Sequence, residues 1–183
     1  EYEGDAWLLI RAVGGITDPV ESIWQAVKNA ILEHHWGENF LRQFRDPKGE
    51  DELVENIESI SYRLKGKVAG VALFLDEMGK VLEHMSKNNR DLHLFQDLSE
   101  RLSRVSSEGV PTLMIGMLHQ SISAYALNQS LEMQKEWAKV QGRFSDLKYS
   151  VSPDETIALL DKTIIVKTDL NDKLQKVIDN TAA

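Results

Sequence analysis

The chain has 183 residues, 42% of them hydrophobic and 27% charged, the make-up of one globular domain with a small appendage rather than of a disordered segment. Its 21 Lys and Arg against 29 Asp and Glu leave a net charge of −8, which argues against a surface built mainly to hold phosphate backbones or anionic lipid. With no cysteine there is no disulfide scaffold, no thiolate metal site and no cysteine nucleophile, and the chain fits a reducing, cytoplasmic compartment.

In chain order, the opening EYEGDAWLLIRAVGG has neither the basic start and apolar stretch of a signal peptide nor an initiator Met, as expected of a piece of a longer polypeptide. Trp7 to Val13 reads as a first strand, ended by Gly14-Gly15. Asp18-Pro19 opens a helix that carries Ile23, Trp24, Ala26, Val27, Ala30 and Ile31 at helical spacing, with Asp18 as cap and Pro19 in the first turn. A polar loop from Arg45 to Asp51 leads to a helix over about Glu52 to Leu64. Val68 to Leu75 is the second strand, ended by Asp76-Glu77. A helix beginning near Asn89 carries Leu92, Leu94, Phe95, Leu98 and Leu102. After the breakers Gly109 and Pro111, Thr112 to Leu118 is the third strand, ended by His119-Gln120. A long helical region is expected over Ser121 to Val140, then a short fourth strand over Phe144 to Val151. Ser152-Pro153-Asp154-Glu155 is a capping-box helix start, with the helix running to about Lys162, and the tail from Thr168 to Asn180 again has helical spacing.

Each strand is apolar on successive positions, the pattern of strands buried on both faces of a parallel sheet. Strands alternating with helices imply right-handed crossovers. The expected fold is therefore α/β, a parallel sheet flanked by helices over residues 1–151, with a small C-terminal helical part over 152–183.

The run VALFLDEMGK, Val71 to Lys80, carries the chemistry. A buried strand brings two adjacent carboxylates to its C-terminal end, where open α/β sheets hold their ligands. Two neighbouring acids repel, and a divalent cation relieves that: Asp76 can hold Mg2+ directly or through water, and Glu77 can orient and activate an attacking water. Four apolar residues followed by Asp-Glu is the Walker B pattern, although a strand end capped by two solvated acids has the same composition. His119 or Gln120, at the end of the neighbouring strand, can reach the same place. Arg143, in Gln141-Gly142-Arg143-Phe144, follows the long helix. The remaining histidines lack ligand spacing: His34 and His35 are adjacent and point about 100° apart on a helix.

Taken with the order of these elements, the phrases GVPTLMIGMLHQSISAYA and EWAKVQGRFSDLKYSVSPDETIALL resemble the core of AAA+ and STAND-type P-loop ATPases, among them large bacterial ATP-binding proteins linked to anti-phage defence. The resemblance covers most of residues 7–165. It implies ATP and Mg2+ as cofactors, with Asp76 as metal partner, Glu77 as catalytic base, His119 or Gln120 as sensor, and Arg143 as an arginine finger acting on a neighbouring subunit. It further implies head-to-tail self-association, and makes the helix from Ser152 to Lys162 the start of a lid. The phosphate loop G-x-x-x-x-G-K-[ST] has no match: Gly66-Lys67 is followed by Val68, and Gly79-Lys80 by Val81. In the family that loop precedes the strand at Trp7, so either it lies before Glu1 or nucleotide binding has been lost. The expected function is ATP hydrolysis that drives a conformational or assembly change; the other reading is a non-hydrolysing nucleotide switch or a protein-interaction scaffold.

Overall fold

The computed structural model describes residues 6–15, 18–88, 92–147 and 152–163. The chain divides into two units, Glu1–Ser145 and Asp146–Ala183. In the first, β1 (Trp7–Val13), β2 (Gly70–Asp76) and β3 (Thr112–Gly116) form a parallel sheet in the order β1-β2-β3. Between β1 and β2 run α1 (Pro19–Leu32), α2 (Gly37–Leu41) and α3 (Glu50–Arg63); between β2 and β3 run α4 (Met78–Lys87) and α5 (His93–Glu108). Then come α6 (Ile122–Tyr125) and α7 (Leu131–Gln141). In the second unit α8 (Pro153–Thr163) begins with the expected capping box: Glu155 N–H donates to Ser152 Oγ at 3.2 Å and Ser152 N–H to Glu155 Oε2 at 3.1 Å. No described helix is long and apolar enough to cross a membrane.

The register pairs Leu8 with Val71, Ile10 with Leu73 and Ala12 with Leu75, and these six buried residues make one face of the sheet. Against it lie the apolar stripes of the helices: Ile23, Val27 and Ile31 of α1, Leu53, Ile57 and Ile60 of α3, Leu98 and Leu102 of α5. Asp18 caps α1 by accepting from Val20 N–H at 2.9 Å, as its sequence signature predicts.

Four expectations need correction. Burial on both faces fails for β1, whose residues alternate strictly between exposed and buried. On the second face Trp7, Leu9, Val13, Leu113 and Met117 are 41–62% exposed, so Met117 is not the core residue its strand-like setting implies. The stretch after Glu77 is a full helix, α4, which sequence reading passes over. The long helix over 121–140 is broken: Ser130 accepts from Met133 N–H at 3.2 Å and so starts α7 afresh, while Gln129 turns away to donate to Ser86 Oγ at 2.8 Å. Residues 144–147 form no strand, and 148–151 lie outside the described residues, as does the tail over 168–180.

Candidate functional site at the end of β2

The central strand delivers Asp76 and Glu77 to the C-terminal end of the sheet, where the turn into α4 takes a single residue. Asp76 accepts from Glu77 N–H through Oδ1 at 2.8 Å, and its carbonyl accepts from Gly14 N–H at 2.7 Å, tying the turn to the end of β1. Glu77 makes the turn in left-handed backbone, φ 52° and ψ 29°, the single described non-glycine residue with positive φ. For a side chain of that type the conformation costs about 1–2 kcal/mol. The packing on either side enforces it. Met78, the next residue, is fully buried with its sulfur against Gly116 of β3, and the Glu77 carbonyl would lie 2.5 Å from any Cβ at position 14. Strain of this kind, held in place by its surroundings, is characteristic of functional positions.

The turn aims the Glu77 carboxylate along the sheet end. Lys80 Nζ lies 3.4 Å from Oε1, and His119 Nε2, from the end of the neighbouring strand, lies 3.9 Å from Oε2. The second distance is too long for a direct hydrogen bond, so Oε2 keeps its capacity to accept a proton from a small molecule between them. Glu77 is about one third exposed and His119 is open to solvent at 88%. Of the two sensor candidates, His119 therefore stands by the acid, while Gln120 is exposed.

Beneath the 119–120 turn lies Tyr125 of α6. Its hydroxyl rests on Gly79 of α4, where even a methyl group would collide with it. Burial raises this hydroxyl above the ordinary tyrosine range, the His119 amide opposes the shift, Glu83 adds to it, the Gln120 amide again opposes, and Glu77 adds the last increment. The Tyr125 carbonyl accepts from the buried Ser86 hydroxyl at 3.0 Å, and Ser86 in turn accepts from Gln129, so α4, α6 and the start of α7 are braced together. Neither Tyr125 nor its glycine seat is singled out by sequence patterning, because the contact joins residues far apart in the chain.

Arg143, just after α7, forms an ion pair with Glu100 of α5 and does not touch either acid of β2. Among the described residues no group of three or more His, Asp or Glu side chains could hold a metal ion by itself. Asp76, an exposed carboxylate, fits Mg2+ only in that ion's usual manner, as one or two protein oxygens sharing it with phosphates and water. Compared with known families, characterised proteins and solved structures, the chain matches no family, no protein and no structure.

Proposed function

We propose that this chain is the part of a P-loop ATPase core that carries the water-activating acid, and that the polypeptide containing it hydrolyses ATP with Mg2+ to drive a conformational or assembly change. The observation that carries this reading is the unfinished sheet beside Glu77 and His119. Trp7, Leu9, Val13, Leu113 and Met117 leave much of one largely apolar face open, with exposed Arg11 of β1 among them. β3 ends the sheet, and the ladder to β2 uses Pro111 C=O and Met117 N–H, which by alternation points the backbone groups of Met114 and Gly116 out along the open edge. That edge carries no charge, no proline and no bulge to discourage pairing.

The handedness of crossovers says what fits there. The steps β1 to β2 and β2 to β3 run in one direction and lay their helices on one face. A right-handed connection that lays a helix on the opposite face must step backwards. A strand beside β3, followed by a helix across the bare face into β1, does this and satisfies both edge and face. Its strand-to-helix loop would fall at the same end as Asp76, Glu77 and His119, where a loop and helix N-terminus suit a phosphate.

Within that arrangement the roles follow from position. Asp76 offers an oxygen to Mg2+, which when bound offsets the charge of the phosphates. Glu77 takes a proton from the attacking water at Oε2, the oxygen not engaged by Lys80. His119 stands where it can orient that water or a phosphate oxygen. Arg143 would leave Glu100 and act on the nucleotide of a neighbouring subunit in a head-to-tail assembly. In the intact gene product, Arg143→Ala is expected to lower turnover about a thousandfold. Turnover per subunit should rise with wild-type concentration and stay flat for the variant; activity independent of both concentration and Arg143 removes the finger. The bare face also suits a scaffold that captures a partner without turnover, and the scaffold predicts no effect of Glu77→Gln on what the protein does.

A further inference from the structure

Two charges stand on the open face of the sheet. Asp76, at the C-terminal end of β2, belongs to the candidate site. The other is Arg11, which the register sets one row further in, beside the half-buried Phe74. Along β1 it lies between Leu9 and Val13, which are 41% and 62% exposed. At the opposite end of the face the Trp7 ring lies against Gly70, where any Cβ would stand 2.8 Å from it. A segment that buries Leu9 and Val13 therefore passes over Arg11. A guanidinium stays charged at every ordinary pH, so it cannot escape the cost of burial by losing its proton. Under a purely apolar cover Arg11 would be a buried cation without a counter-charge, among the least tolerated arrangements in a protein interior. Charge complementarity thus specifies the cover: apolar over the leucines and the valine, and acidic at Arg11.

We propose that the occupant of this face is a helix of the same polypeptide that sets one Asp or Glu against Arg11. The inference rests on the reading that further segments complete the sheet, and adds what the covering one carries. Arg11 is two residues below the level of Asp76, about 7 Å of strand, which is little more than the roughly 5.4 Å of one helical turn. The acid accordingly belongs about one turn into the helix from the end beside Asp76. A carboxylate there can take the guanidinium through two parallel hydrogen bonds. It also fixes how the helix lies, since a slip of one turn would set the acid against an apolar side chain.

Arg11→Met keeps the length of the side chain and removes its charge, whereas Arg11→Lys keeps a cation. Thermal denaturation midpoints are read for both in the intact gene product and in the 183-residue chain. In the intact protein Arg11→Met is expected to lower the midpoint by about 5–10 °C, because the acid is left buried and unpaired, and Arg11→Lys by less than half as much. In the 183-residue chain both should stay within about 2 °C of wild type, as exposed substitutions do. A raised midpoint for Arg11→Met in the intact protein means a cover without an acid, and overturns the proposal while the completed sheet stands. Equal losses for the two variants mean packing in place of charge, and an equal loss in the 183-residue chain puts the partner of Arg11 inside it; either overturns the proposal. So does a loss that depends on protein concentration, which assigns the acid to a second copy. If Arg11→Met changes nothing in the intact protein while Leu113→Lys destabilises it, Arg11 reaches solvent past the edge of β1 and the proposal fails alone. If Leu113→Lys changes nothing either, the completed sheet fails with it.

Discussion

In the intact gene product Glu77→Gln is expected to retain MgATP binding and to lose hydrolysis by roughly a hundredfold to ten-thousandfold, the usual worth of a positioned base. The argument is geometric. One oxygen of Glu77 faces Lys80 at 3.4 Å, the other faces His119 across 3.9 Å, and the carboxylate is held there by a backbone that glutamate does not favour. An amide keeps the shape and cannot take the proton. The same backbone makes a second, opposite expectation at this residue: Glu77→Gly should raise stability by about 1 kcal/mol, since glycine adopts positive φ without penalty, while turnover is lost as in Glu77→Gln. Chemical denaturation and steady-state hydrolysis together check this. A glycine variant that is destabilised would mean that the side-chain contacts to Lys80 and His119, and not function, hold Glu77 in place.

Charge placed on the open face tests the proposal that further segments of a longer polypeptide cover it. Leu113→Lys and Met117→Lys introduce a cation at positions 49% and 47% exposed here. In the 183-residue chain each should change stability by no more than about 0.5 kcal/mol, as surface substitutions do. In the intact gene product, where a helix and an added strand would cover the face, the same lysines become buried and unpaired, and each should cost about 3 kcal/mol or more. Denaturation midpoints of both forms read the difference directly. Equal, small effects in both leave the face open in the whole protein and remove the main support for a preceding strand and helix.

Much of the fold is legible in local signals. Asp18-Pro19 and Ser152 with Glu155 state two helix starts outright, because a cap needs only a few adjacent residues. The three strands are legible as short apolar runs closed by Gly-Gly, Asp-Glu and His-Gln, and their parallel order follows from the helices between them. Helix α4 hides for a physical reason. Met78, Val81, Leu82 and Met85 have helical spacing, yet the helix starts from left-handed backbone with no side-chain cap and carries a glycine in its first turn. The break at 126–130 hides because Gln129 is drawn to Ser86, a partner 43 residues away. The open side of β1 is the instructive miss: a strand buried on both faces and one with apolar residues left exposed on one side have the same composition. At the site, Asp76, Glu77 and His119 are visible as strand-end polar residues, and their neighbouring strands bring them together. Tyr125 is invisible, since nothing in its local sequence says that its hydroxyl will sit on Gly79.

The most direct test of the central claim is a calorimetric titration of MgATP into the intact gene product and, in parallel, into the 183-residue chain. The ATPase reading predicts one nucleotide bound per intact subunit and little or no binding by the chain, whose residues supply the acids but no phosphate loop. An intact protein that binds no nucleotide would contradict the reading and leave the uncovered sheet as a surface for a protein partner.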